Sequence, residues 1–127
     1  MAIPISEAES MVMDVLWQRS PLSAEEVVAA LAPHQDWQEA TIKTLLNRLL
    51  NKGAIEASKD GRRYLYSPVL RREAWVLDES ESLLSRLFDG RVAPLVAHFS
   101  QHRKLSADDV AELRRLLESL DDAPRSE

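Results

Sequence analysis

The chain has 127 residues, 45% of them hydrophobic and none of them cysteine, and its formal net charge is −5. That length supports one or two small domains, each able to bury a core without covalent staples. The absence of cysteine excludes disulfides, thiolate metal sites and cysteine nucleophiles, and the acidic total argues against a nonspecific coat for nucleic acid.

The opening MAIPISEAES has no basic stretch followed by an apolar run, so no secretory leader is expected. No apolar run is long enough for a membrane span, so a cytoplasmic location without membrane insertion is expected. Charge is unevenly spread. Residues 1–37 hold one base and six acids, residues 38–72 eight bases and three acids, and residues 73–127 seven bases and twelve acids. One basic segment thus lies between two acidic ones, and local charge decides whether a surface can meet phosphates.

Ser6-Glu7-Ala8-Glu9 reads as a capping box that opens a first helix carrying Met11, Val12, Val15 and Leu16. Ser20-Pro21 breaks it. A second box, Ser23-Ala24-Glu25-Glu26, opens a short helix with Val27, Val28 and Leu31 that ends at Pro33. Trp37 precedes a third helix, as a staple for Ile42, and that helix runs through Leu50 to a glycine cap at Gly53. Residues 54–58 and 62–67 read as two strands, with Lys59-Asp60-Gly61 supplying an Asp-Gly turn between them.

The rest is helical. An amphipathic helix from Trp75 to Phe88 is interrupted at Asp89-Gly90. Val92, Leu95, Val96 and Phe99 follow helical spacing, and Ser106 caps a last helix with Val110, Leu113, Leu116, Leu117 and Leu120. The terminal DDAPRSE is expected to fray. The composition shift near residue 70 is the plausible boundary, dividing the chain into residues 1–70 and 71–127.

In the third helix, Ile42, Leu45, Leu46, Leu49 and Leu50 form one apolar stripe. Ala40, Thr44, Asn47 and Asn51 lie nearly opposite, with Lys43 and Arg48 at the edges of that strip and Thr41 beside it. Burial of the leucines turns the polar strip outward. A strip meant only for solubility favours Glu and Lys, the better helix formers. Asn, Thr and Arg instead match base edges, and small side chains let a helix enter a major groove. A solvated face is the alternative for the helix taken alone. The order helix, helix, helix, hairpin is that of a winged helix-turn-helix, in which the third helix enters the major groove and the hairpin touches the backbone. Lys59, Arg62 and Arg63 sit on or beside the hairpin turn, where they contact phosphate or else discourage edge pairing.

The segments ISEAESMVMDVLW, PLSAEEVVAAL, TIKTLLNRLLNKGAI and GRRYLYSPV resemble the penicillinase repressor family of bacterial regulators (BlaI/MecI/CopY), and FDGRVAPLVAHF with KLSADDVAELRRLLE resembles its dimerisation half. The resemblance implies a mainly α fold with a small β-hairpin, a winged helix-turn-helix domain over 1–70 and a helical dimerisation domain over 71–127. It implies a dimeric repressor on a palindromic double-stranded operator, often upstream of a β-lactamase or related resistance gene. In the inducible branch a membrane metalloprotease sensor triggers cleavage at an Asn-Phe bond. The matching position here is His98-Phe99, a departure from the family. The copper-responsive branch uses a cysteine cluster that this chain lacks.

Residue periodicity agrees on the second half. Three amphipathic helices over about fifty residues rarely supply a self-sufficient core. Leu83, Leu84, Leu87, Val92, Leu95, Val96, Phe99, Leu113, Leu116 and Leu117 are therefore expected to be shared with a twin chain, or else to fold back on the first half. His98 and His102 stand four apart, but HFSQH lacks the metalloprotease glutamate and a third ligand, so one partly packed and one exposed histidine is expected. No metal, no cofactor and no catalytic residue is assigned. Serines 6, 23 and 106 are caps, and Trp17, Trp37 and Trp75 are packing residues. The competing functional reading is a winged helix that docks an acidic protein partner without specific DNA binding.

Overall fold

The computed structural model describes residues 3–122. The order is α1 (Glu7–Gln18), α2 (Ala24–Leu31), α3 (Glu39–Lys52), β1 (Ile55–Asp60), β2 (Arg63–Pro68), α4 (Arg72–Phe88), α5 (Val92–Gln101) and α6 (Ala107–Asp122). The chain forms two compact units, Met1–Glu79 and Ser80–Glu127, and α4 contributes residues to both. The change of unit falls within α4. Asp121 and Asp122 are helical, while residues 123–127 of the end expected to fray lie outside the described residues.

The first unit is a winged helix. Both predicted capping boxes close: Ser6 Oγ accepts from Glu9 N while Glu9 accepts from Ser6 N, and Ser23 and Glu26 repeat the exchange at α2. The α3 helix ends in a Schellman motif. Gly53 takes φ +78°, its N–H donates to Leu50 O, and Ala54 N–H donates to Leu49 O at 3.0 Å. The core gathers Val12, Met13 and Leu16 of α1, Val27 and Leu31 of α2, Ile42, Leu45, Leu46 and Leu49 of α3, and Leu22, Ala54, Ile55 and Leu70. Leu50, expected in the same stripe, lies half-buried at its edge, and Trp17, Trp37 and Trp75 pack against the core as expected.

The hairpin differs from expectation by one residue. Lys59 and Asp60 belong to β1 and pair with Tyr64 and Arg63, so the loop is Gly61-Arg62. Gly61, with φ +65°, occupies the first loop position, where a II′ turn requires positive φ. The outer edge of β2 is also partly paired: Leu22 and Tyr66 exchange backbone hydrogen bonds of 3.1 and 2.7 Å. This bridge ties the α1–α2 connection to the wing.

In the second unit, Ser106 caps α6 through a third box with Asp109. No described residue from 80 to 121 is buried. Leu84, Leu95, Val96 and Leu113 are half-buried, whereas Leu83, Leu87, Val92, Phe99, Leu116 and Leu117 are exposed. His98 and His102 are both exposed, with ring centroids 4.7 Å apart, and the His98 ring lies 6.1 Å from that of Phe88. Among the described residues no helix is long and apolar enough to cross a membrane.

Candidate nucleic-acid interface

Four buried side chains, Ile42, Leu45, Leu46 and Leu49, fix the rotation of α3 about its axis. Burial of each contributes about 1.5–3 kcal/mol, so the rotation is strongly determined. As a result Ala40, Thr41, Lys43, Thr44, Asn47, Arg48 and Asn51 are all exposed, on the side opposite the core. Thr44 Oγ1 donates to Ala40 O at 2.9 Å, which commits its proton to the helix backbone. Among the described residues no hydrogen bond engages the side chains of Lys43, Asn47, Arg48 or Asn51. Gln38, at the N-terminal end of α3, makes no side-chain cap, unlike Ser6 and Ser23 at the two preceding helices.

The wing completes the surface. A cleft of about 300 Å³ lies between α3 and the wing, lined by Ala24, Glu25, Lys43, Asn47, Arg62, Arg63, Tyr64 and Tyr66. It unites two of the expected α3 residues with two of the expected wing cations. Lys59 is exposed on β1 and does not line it, and Ala40, Thr41, Thr44, Arg48 and Asn51 continue along α3 outside it. Arg63 is partly committed, its guanidinium lying 3.4 Å from the Asp60 carboxylate with both side chains well exposed. Such a pair is worth little in water and leaves the arginine free to exchange partners.

Three contributors escaped sequence reading. Tyr64 and Glu25 line the cleft, which joins elements from three parts of the chain. The third is Glu9, 1% exposed, whose Oε1 accepts from Lys52 Nζ at 2.5 Å and from Ser6 N–H at 2.7 Å. Burial opposes ionisation of Glu9, yet these hydrogen bonds and the lysine charge hold its carboxyl below its ordinary range. The pair pins the last turn of α3 to the first turn of α1. At Glu26 the hydrogen bonds from the Ser23 backbone and hydroxyl, with smaller help from Arg63 and Arg19, also lower the carboxyl's pKa.

The pattern describing the penicillinase repressor family matches residues 5–119. The penicillinase repressor of Bacillus licheniformis is 35% identical over 114 residues, covering 90% of this chain and 89% of that one. The methicillin resistance regulatory protein MecI of Staphylococcus aureus (strain N315) is 31% identical over 113 residues, covering 89% and 92%. The solution structure of the Bacillus licheniformis BlaI monomeric form in complex with the blaP half-operator superposes with a TM-score of 0.51 at 39% identity, over 57% of this chain and 90% of that one. A family pattern spanning almost the whole chain, together with relatives of this identity and coverage, shows that the chain belongs to the penicillinase repressor family.

Proposed function

We propose that the chain is a sequence-specific DNA-binding transcriptional repressor that acts as a homodimer on a palindromic operator. The observation that carries this is the face of α3: a row of uncharged hydrogen-bonding side chains between Lys43 and Arg48, held outward by four buried ones and flanked by wing cations. Asn47, Asn51 and Arg48 supply the donor and acceptor geometry that base edges read, while Lys43, Lys59, Arg62 and Arg63 supply phosphate contacts. The BlaI relative, solved in complex with the blaP half-operator, supports DNA binding as the activity. Binding, not catalysis, is the activity.

The first unit is the DNA-binding part and the second the dimerisation part. The exposed leucines of α4 and α6 and the residues Val92 and Phe99 of α5 support pairing with a second copy, because their apolar area costs free energy when left in water. The regulated gene is a β-lactamase or a related resistance or stress operon. Relief comes from a membrane metalloprotease sensor acting at His98-Phe99, inside α5. The protein works in the cytoplasm.

Fluorescence anisotropy with the purified protein, comparing DNA from upstream of its own gene with random duplex, tests this reading. The expected result is a preference of about 10³-fold or more for the upstream DNA, with log affinity falling against log salt by roughly 0.9 for each phosphate contact. Equal affinity for the two duplexes contradicts the proposal and favours protein docking.

A further inference from the structure

The cleft between α3 and the wing is suited to a smaller object than the whole interface. It is concave, it holds Lys43 on one wall and Arg62 and Arg63 on another, and Tyr64 adds an uncharged polar group. Tyr64 is 52% exposed although it lies on a strand beside half-buried Leu65 and Tyr66. Its phenol makes no hydrogen bond among the described residues, so the O–H is free to donate. A basic concavity that also offers a neutral O–H donor matches the oxygens of one phosphodiester, which accept from charged and uncharged donors alike. One carboxylate lines the same cleft. Glu25 is exposed, and it faces the same space as the three cations. A carboxylate there opposes any anion that enters, and so lowers the affinity of the cleft for phosphate in every sequence context.

Resting on the proposed DNA-binding role, we infer that this cleft seats a single backbone phosphate of the operator. Tyr64 donates the neutral hydrogen bond to that phosphate, and Glu25 limits the electrostatic strength of the seat. Tyr64 thereby fixes the spacing between the helix in the major groove and the wing on the backbone. The contact carries no base information, so it sets affinity and register, not preference.

The test uses the full chain with Tyr64→Phe and Glu25→Gln, measured by anisotropy on upstream and random duplex, and with Tyr64→Phe repeated on upstream DNA carrying a single neutral methylphosphonate at each position in turn. Tyr64→Phe is expected to weaken both duplexes alike by roughly tenfold, with an unchanged salt slope, because a neutral donor is lost. Glu25→Gln is expected to tighten both severalfold. At one phosphate position per half-site, methylphosphonate is expected to abolish the Tyr64→Phe effect. Tyr64 is exposed, and matching far-ultraviolet circular dichroism of wild type and variant will establish that the fold is kept. Unchanged affinity of Tyr64→Phe, or a penalty that no methylphosphonate removes, overturns the seat. Preference of the wild type for upstream DNA is read separately, so loss of the seat is distinguishable from loss of the DNA-binding role.

Discussion

Replacing Glu9 by Gln tests how α3 is held in place. Gln keeps the side-chain acceptor that completes the capping box with Ser6 and removes only the charge that faces Lys52. A hydrogen bond to a charged group contributes about 1.5–3 kcal/mol, and because the Lys52 side chain is 37% exposed the lower end applies, about 1.5 kcal/mol. For a domain of this size that lowers Tm by roughly 6–12 °C. The pH dependence has a definite sign. The folded-state pKa of Glu9 lies below its ordinary value, so the stabilisation is fully present above the unfolded value of about 4.3 and is lost as pH falls through the folded value. Wild type and Glu9→Gln therefore differ at pH 7 and converge toward pH 3. Tryptophan fluorescence suits the assay, since Trp17, Trp37 and Trp75 all lie in the first unit. Equal Tm values at pH 7, or a gap as wide at pH 3 as at pH 7, would refute the argument.

Asn47→Ala or Arg48→Ala is expected to cost about 1–3 kcal/mol of preference for upstream over random DNA if the residue makes a bidentate base contact, as read in a gel-shift titration. Arg63→Ala is expected to weaken both duplexes together and to lower the salt slope by less than about 0.9, because Asp60 already shares its charge. Leu117→Asp places a charge on a leucine that is 61% exposed, and sedimentation velocity is expected to report dimer for the wild type and monomer for the variant. Gly53→Ala meets no atom within 4 Å but forces a side chain to φ +78°, so urea unfolding should show a loss of about 1 kcal/mol with no packing defect.

What could be read from the sequence was local. Ser6, Ser23 and Ser106 cap because a short hydroxyl and an acid three residues on suffice, and Gly53 ends α3 because the left-handed cap disfavours a Cβ. The exposed face of α3 followed from periodicity, since five apolar side chains on one side leave a single outward strip. The hairpin turn was displaced because register answers to tertiary pairing. Ile55 is buried in the core and Tyr66 is bonded to Leu22, and together they favour a loop at Gly61-Arg62 over one centred on Asp60-Gly61. The Glu9–Lys52 pair spans 43 residues, and the cleft joins α2, α3 and the wing, so no short pattern announces either. The apolar stripes of α4 to α6 were plain, but periodicity marks a face without naming what covers it.

The proposed DNA-binding role requires α3 to turn its amides, hydroxyl and guanidinium toward a DNA groove. Nitrogen-15 spectra of the full chain, titrated with upstream duplex, test it directly, because the side-chain NH₂ groups of Asn47 and Asn51 give their own signals. These two signals are expected to shift sharply with upstream duplex and far less with random duplex, together with backbone amides of residues 40–48 and 59–64. Unmoved asparagine signals, with the largest shifts in α1 or α5 instead, would contradict it.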